Sequence, residues 1–212
     1  MIMKSFKVRV GALNLYTNMY VVADEKTKEG ILIDAAGATR ELINYIDTME
    51  IKLRYIVLTH CHSDHIAGLK EFRKEYPRVP IVINEDDKDG LTLPSINLSD
   101  GIGVENNYIE ADITVKEGDV LKFGELEAQI IHTPGHTAGS MCILIKDALF
   151  SGDTIFKHTY GRTDLETGSE REIIWSIKDK LLHLPDETIV YPGHGATTII
   201  KDEKEIYKNI YW

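Results

Sequence analysis

The run Thr59-His60-Cys61-His62-Ser63-Asp64-His65 puts three imidazoles and a carboxylate within six positions. Imidazole nitrogen and carboxylate oxygen are the usual protein ligands of zinc, iron and manganese. A polar loop in which Ser63 or Asp64 caps a helix would account for the serine or the aspartate, but not for three histidines at this spacing. Two further histidines stand on Pro-Gly turns: His136 in Thr133-Pro134-Gly135-His136-Thr137-Ala138-Gly139-Ser140, and His194 in Tyr191-Pro192-Gly193-His194-Gly195. Either turn alone is weak evidence, because any hairpin can carry a histidine. Between them Phe150-Ser151-Gly152-Asp153-Thr154 ends a short apolar run on an aspartate. An isolated Gly-Asp is usually a turn. In this company Asp153 reads as a ligand.

Each of these motifs follows a segment that reads as a strand. Tyr55–Leu58 is a short continuous apolar run that leads into His60. Phe6–Val10, Tyr20–Ala23, Gly30–Asp34 and Val79–Ile83 are further strand candidates in the first half. Val120–Phe123, Leu126–His132, Ser140–Ile145, Ala148–Phe150 and Thr188–Tyr191 are the candidates in the second. Helices are expected over Ala38–Met49, where Leu42, Ile43, Ile46 and Met49 make one stripe, and over His65–Tyr76, stopped by Pro77. Ser169–His183 and Asp202–Ile210 read as helices too. The polar stretch from Asn84 to Asp112, with Gly90, Pro94, Gly101 and Gly103, is expected to be a functional loop or lid. Strands followed by helix and strand in each half suggest two β-rich layers face to face with helices outside.

The pieces in this order resemble the metallo-β-lactamase superfamily from about Gly11 to Gly195. The resemblance implies an α+β, four-layered αββα sandwich with the site along one edge of its sheets. It implies that His60, His62 and His136 hold a first divalent metal ion, that Asp64, His65 and His194 hold a second, and that Asp153 bridges the two. Zinc is the expected metal, with iron or manganese as alternatives. In such a site the nucleophile is a metal-bridged hydroxide, oriented by Asp64, and no serine or cysteine nucleophile is required. Gly161-Arg162-Thr163-Asp164-Leu165 and Leu184-Pro185-Asp186 are similar to the glyoxalase II branch. Its members carry a C-terminal helical domain, for which residues 195–212 are too few, so the resemblance is to short glyoxalase II-like proteins.

The expected function is therefore hydrolysis of a small thioester or related acyl bond. One alternative is a mononuclear iron persulfide dioxygenase using His60, His136 and Asp153 or a near variant. Another is a metal-binding module without catalysis. Lys157, His158, Tyr160 and Arg162 follow the Asp153 strand and are candidates for substrate contact, although Arg162 and Asp164 equally suit a structural pair. His132 and His183 read as structural, and Cys61 is expected to point away from the ligands.

A net charge of −10 argues against nucleic acid and anionic lipid as partners. No apolar run approaches the roughly 18 residues of a membrane span. Met1–Val10 alternates like a strand and lacks the apolar core of a signal peptide. With two cysteines far apart, Cys61 and Cys142, read as free thiols, the expectation is a cytoplasmic, single-domain protein spanning 1–212.

Overall fold

The computed structural model describes residues 1–11, 15–106 and 108–208. β1 (Ile2–Val10), β2 (Leu15–Ala23) and β3 (Glu29–Ile33) form an antiparallel meander. β4 (Lys52–Val57), β5 (Ile81–Asn84) and β6 (Ile113–Val115) continue it in parallel, giving a first sheet of order β1-β2-β3-β4-β5-β6. Parallel neighbours need crossovers. These are α1 (Arg40–Thr48), then α2 (Ser63–Ile66) and α3 (Leu69–Glu75), then α4 (Pro94–Asn97) and α5 (Ser99–Ile102). The second sheet has the order β14-β13-β10-β9-β8-β7. It is built from β7 (Val120–Phe123), β8 (Leu126–His132), β9 (Met141–Ile145), β10 (Ala148–Gly152), β13 (Ile189–Pro192) and β14 (Thr198–Ile199). A two-strand hairpin, β11 (Ile155–Phe156) and β12 (Thr159–Tyr160), stands apart from both.

Strand alternation sends neighbouring side chains to opposite faces. Val22, Ile31, Ile33 and Val57 therefore meet Phe123, Ile130, Ile143 and Phe150 between the sheets. Val21, Leu32 and Ile56 turn outward onto Leu42 and Ile46 of α1 and Leu69 and Phe72 of α3. On the far side, Cys142, Leu149 and Val190 pack on Ile173 of α6 (Glu170–Trp175) and Ile200 of α7 (Ile200–Tyr207). Three cores between four layers make the αββα sandwich. Among the described residues no helix is long and apolar enough to cross a membrane.

The helix expected over His65–Tyr76 is two helices, broken at Ala67-Gly68. Gly68 lies against the backbone of Gly37 and Ala38, 2.6 Å from where its own Cβ would stand, and its N–H donates to Ala35. That close approach docks the chain after β3 onto the ligand loop, and it ends the first helix. The stretch Asn84–Asp112 contains a 3₁₀ turn at Lys88–Leu91 as well as α4 and α5, and β6 follows it. Asn97 is fully buried there, donating to Gly90 O and Asn106 and accepting from Ser99 N. The stretch is thus a pinned wall. Ser169 caps the helix expected from it to His183, which runs as α6, a π-helical turn and a 3₁₀ turn. The final helix begins earlier than expected, at Ile200. Asn209 and Ile210, also expected in it, lie outside the described residues.

Candidate metal centre

All seven candidate ligands stand on loops at strand ends, or in the short helix that follows one, along one edge of the sandwich. His60 and His62 lie just past β4, and Asp64 and His65 sit in the first turn of α2. His136 is on the β8–β9 turn, Asp153 follows β10, and His194 follows β13. The fold brings them into three overlapping groups: His60, His62 and His136; His60, His65 and Asp153; Asp64, His65 and His194. Within each group the donor atoms lie within 4.8 Å of one another. Asp153 sits between the ends of the cluster. Its Oδ1 is 3.3 Å from His65 Nε2, and its Oδ2 is 3.3 Å from His194 Nε2 and 3.6 Å from His136 Nε2.

Glycine lets these loops close. A Cβ at Gly193 would collide with Asp153 Oδ1, and one at Gly161 would collide with the Asp153 carbonyl. The first sheet also grips the last loop. Asn18 donates to Pro192 O and Gly195 O, and the Tyr20 hydroxyl donates to Pro192 O.

Most ring nitrogens that face away from the cluster are tied. His65 Nδ1 meets Asp34 Oδ2 at 2.8 Å, His136 Nδ1 meets Arg162 O at 2.7 Å, and His194 Nδ1 meets Tyr16 O at 2.8 Å. His60 Nδ1 lies 3.1 Å from Thr59 Oγ1, whose own hydrogen goes to Asp34. Each of these oxygens accepts, so Nδ1 carries a hydrogen and Nε2 is the nitrogen turned inward, available as a ligand once it carries no proton. Thr17 Oγ1 donates to Asp64 Oδ2 at 3.0 Å. Asp87 accepts from Cys61 N, Thr137 Oγ1 and Gly139 N, tying the His60 loop to the His136 loop. Asp34, Thr17 and Asp87 were not singled out in the sequence. Asp87 lies within the charged run Glu85–Asp89 and Thr17 beside Asn18, so only Asp34 carried a local signal, as the acid that ends a strand.

The buried atoms His60 Nε2 and Asp153 Oδ1 have no hydrogen-bond partner in the protein. Buried polar atoms ordinarily have one. Imidazole lone pairs and carboxylates converging on such atoms fit divalent cations in chemistry and in number.

Charge is divided across the cluster. Burial, reinforced by the neighbouring histidines, holds His60 well below the usual imidazole range and His62 down at about 3. Burial also opposes charge on His194, but Asp153 and Asp64 outweigh it and raise that imidazole to about 10. His65 moves the same way, because Asp64, Asp34 and Asp153 outweigh its burial. In the metal-free chain, then, a cation must displace protons from His65 and His194. That protonation stabilises the metal-free fold fully below the ordinary value of 6.5, and the His194 share is lost as pH rises through about 10. Zinc affinity is expected to keep climbing between pH 7 and pH 9, with protons released on binding. Chelator competition at fixed pH values measures this; an affinity already level above pH 7 would contradict it.

The cluster opens on a cavity of about 270 Å³. His62, Asp64, His136, Asp153 and His194 line it, while His60 and His65 lie beneath. A larger hollow of about 560 Å³ over β7–β9 is lined by Lys122, Glu125, Glu127 and Lys146 and has no convergent ligand set, so the chemistry points to the smaller one. Of the four candidates for substrate contact only Arg162 lines the cavity. Lys157 and His158 form the tip of the β11–β12 hairpin, where the His158 N–H donates to the buried carboxylate of Glu203. Tyr160 pairs across the hairpin with Ile155, which is buried in the outer core, and its hydroxyl reaches Glu170. Phe156, on the opposite face of that hairpin, takes the place at the cavity. Leu98 and Ile102, neither singled out in the sequence, join it, as does Leu165 at the end of the Gly161–Leu165 motif.

His132 bonds Ala138 O through Nε2 and sits outside the cluster, and His183 is exposed at a helix end. Cys61 is buried in the core beneath α1 and α3, packed on Gly90, and burial pushes its thiol up. Cys61→Ala is expected to keep its full metal content and to lose only about 1 kcal/mol of stability, the lower end of core truncations. Elemental analysis and a denaturant melt check both parts.

The family model described as Metallo-beta-lactamase superfamily matches residues 13–194. The chain is 32% identical to the probable metallo-hydrolase YqgX of Bacillus subtilis, over 88% of each chain. It is 32% identical to the hydroxyacylglutathione hydrolase GloC of Haemophilus influenzae, over 88% of this chain and 89% of that one. Among solved structures, the BLEG-1 B3 metallo-beta-lactamase superposes with a TM-score of 0.85 at 31% identity, covering 95% of this chain and 97% of the other. TTHA1623 in a di-iron-bound form gives 0.79 at 27%, covering 95% and 98%. ETHE1 from Myxococcus xanthus gives 0.75 at 27%, covering 98% and 83%.

Proposed function

We propose, for a chain that belongs to the metallo-beta-lactamase superfamily, that it is a metal-dependent hydrolase of small thioesters and related acyl bonds, akin to glyoxalase II. The observation that carries this is the double donor set, joined at Asp153 and open to one small cavity. His60, His62 and His136 would hold one divalent ion, and Asp64, His65 and His194 the other, with Asp153 shared. Zinc is the first candidate. Iron is the second, since a relative of similar fold is known in a di-iron-bound form. When bound, such ions bring a water's pKa toward neutrality and polarise a carbonyl oxygen.

The chain's own residues arrange the rest. Asp64, held by Thr17 and lining the cavity, accepts a hydrogen bond from the attacking water and aims it. Asp34, through Thr59 and His65, keeps two imidazoles in the ligand tautomer. No protein nucleophile is needed, and the thiol of Cys61 lies in the core. The GloC relative supports a hydroxyacyl thioester as the substrate class. The two buried free cysteines support a reducing, cytoplasmic setting.

The ETHE1 likeness keeps open a second reading, the mononuclear iron persulfide dioxygenase. Metal-replete protein is expected to release thiol from S-lactoylglutathione and to hold two ions per chain. A single ion with His65 and His194 uncoordinated, no thiol release, and oxygen uptake with a persulfide would overturn the hydrolase in favour of the dioxygenase. No turnover of either compound would favour a non-catalytic metal-binding module. Arg162 bonds Asp164 twice, at 2.7 and 2.8 Å, at the exposed rim. Arg162→Ala is expected to raise KM with kcat nearly unchanged if its contact with substrate is uniform.

A further inference from the structure

We infer that the cavity selects its acyl group by apolar contact, with Leu98, Ile102, Phe156 and Leu165 forming an acyl pocket that favours uncharged chains longer than acetyl or lactoyl. This rests on the hydrolase reading and names the substrate class of that site.

The four side chains arrive from three separate segments: the α4–α5 corner, the β11–β12 hairpin and the turn after Arg162. None of them belongs to any of the three cores, and each is half-buried beside the ligand cluster. Apolar side chains left out of a core usually point to solvent singly. Here four converge on one cavity whose floor is the donor set. Two of the four come from a corner held at a cost. Leu98 has φ +64, a left-handed conformation that is strained for a non-glycine residue. The buried Asn97 bonds hold the corner in that shape, and Asn106 reinforces them by donating to Thr92 O at 2.9 Å. The backbone is thus fixed where Leu98 lies over the site.

The polar side of the cavity argues the same way. Arg162, the arginine on its lining, is already paired with Asp164 by two hydrogen bonds. An acid at the far end of an acyl chain would meet apolar carbon and an arginine that already has a carboxylate partner. The volume, about 270 Å³, lies near the lower end for ligand pockets, roughly 300 Å³. It suits an acyl group with part of its thiol carrier outside.

The test uses zinc-loaded full-length protein with acetyl, butanoyl, hexanoyl and glutaryl thioesters of N-acetylcysteamine. A second readout, independent of turnover, is calorimetric binding of acetate, butanoate and hexanoate. Both kcat/KM and affinity are expected to rise about two- to threefold per added methylene, short of the roughly fourfold of complete burial. The glutaryl thioester is expected to fall well below the hexanoyl one. Leu98→Ala and Ile102→Ala are each expected to cut the hexanoyl-to-acetyl ratio about fivefold. Leu165→Ala, on a different segment, gives the same readout should the α4–α5 corner fail to fold when altered. Thioester cleavage without chain-length dependence, or ratios unchanged in all three variants, would overturn the acyl pocket and leave the hydrolase standing. Chain-length-dependent binding with no thioester cleaved would overturn the hydrolase and leave the pocket. Loss of both would overturn both.

Discussion

Asp153→Ala is expected to strip metal from both halves of the site and to lower any metal-dependent activity by roughly two to three orders of magnitude, the size seen when a charge-stabilising group is removed from a buried centre. The carboxylate is 8% exposed, and three imidazoles surround it, those of His65, His136 and His194. Burial alone would push its pKa up, but His65 and His194 hold it well below the usual carboxylate range. Alanine removes the carboxylate that lies between the donor groups, so neither of the two proposed ions would keep its full complement. Asp153→Asn separates charge from shape, since the amide fills the same space against Gly193 but brings no charge. Both variants are expected to lose metal, the alanine more severely. Elemental analysis after dialysis reads this directly, and two ions retained per chain in Asp153→Ala would remove Asp153 from the position between the metals.

Asp34 is expected to matter nearly as much without touching metal or substrate. Its carboxylate is buried and accepts from Thr59 N at 2.8 Å, from Thr59 Oγ1 at 3.0 Å and from His65 Nδ1 at 2.8 Å. Its backbone has φ +59. Asp34→Ala loses all three bonds and sets alanine in a left-handed conformation. The expected costs are about 3 kcal/mol or more of stability, as when a buried charged pair loses a member, and roughly 10- to 100-fold in metal affinity. Asp34→Asn is the discriminating variant, because asparagine tolerates this backbone. If its carbonyl keeps the Thr59 bonds, its NH₂ faces His65 Nδ1. That ring must then accept at Nδ1 and carry its hydrogen on Nε2, the atom needed for the metal. Stability is expected to recover in large part while metal affinity does not. A merely structural Asp34 would restore both together, and paired melting and metal-competition curves tell the two apart.

The chemistry of this protein was legible wherever it is local. Four imidazole and carboxylate ligands fall within six positions after one strand, and each remaining ligand follows its own strand and small-residue turn. Residue type and spacing were therefore enough to mark His60, His62, Asp64, His65, His136, Asp153 and His194 as candidates that the fold brings together, and the run of strands and helices suggested the layers, which the family resemblance named as an αββα sandwich. Val120–Phe123 and Leu126–His132 stand as expected from alternation alone, because each strand has one face between the sheets.

What local pattern could not reveal is what tertiary contact creates. Asp34, Thr17 and Asp87 have no partner near them in sequence; their roles come from strands and loops meeting at one edge. The break at Gly68 arises from backbone approaching from the end of β3, which no helical period reports. Lys157, His158 and Tyr160 were close to Asp153 in sequence, yet the β11–β12 hairpin turned them from the cavity and presented Phe156. Leu98 and Ile102 looked like part of a polar loop until buried asparagines pinned their corner over the site. The candidate ligands were legible along the chain because coordination needs particular atoms at short spacing. Ligand orientation and the cavity wall were decided by the packing of distant segments, because a hydrogen bond or an apolar contact can be supplied by any residue that the fold brings near.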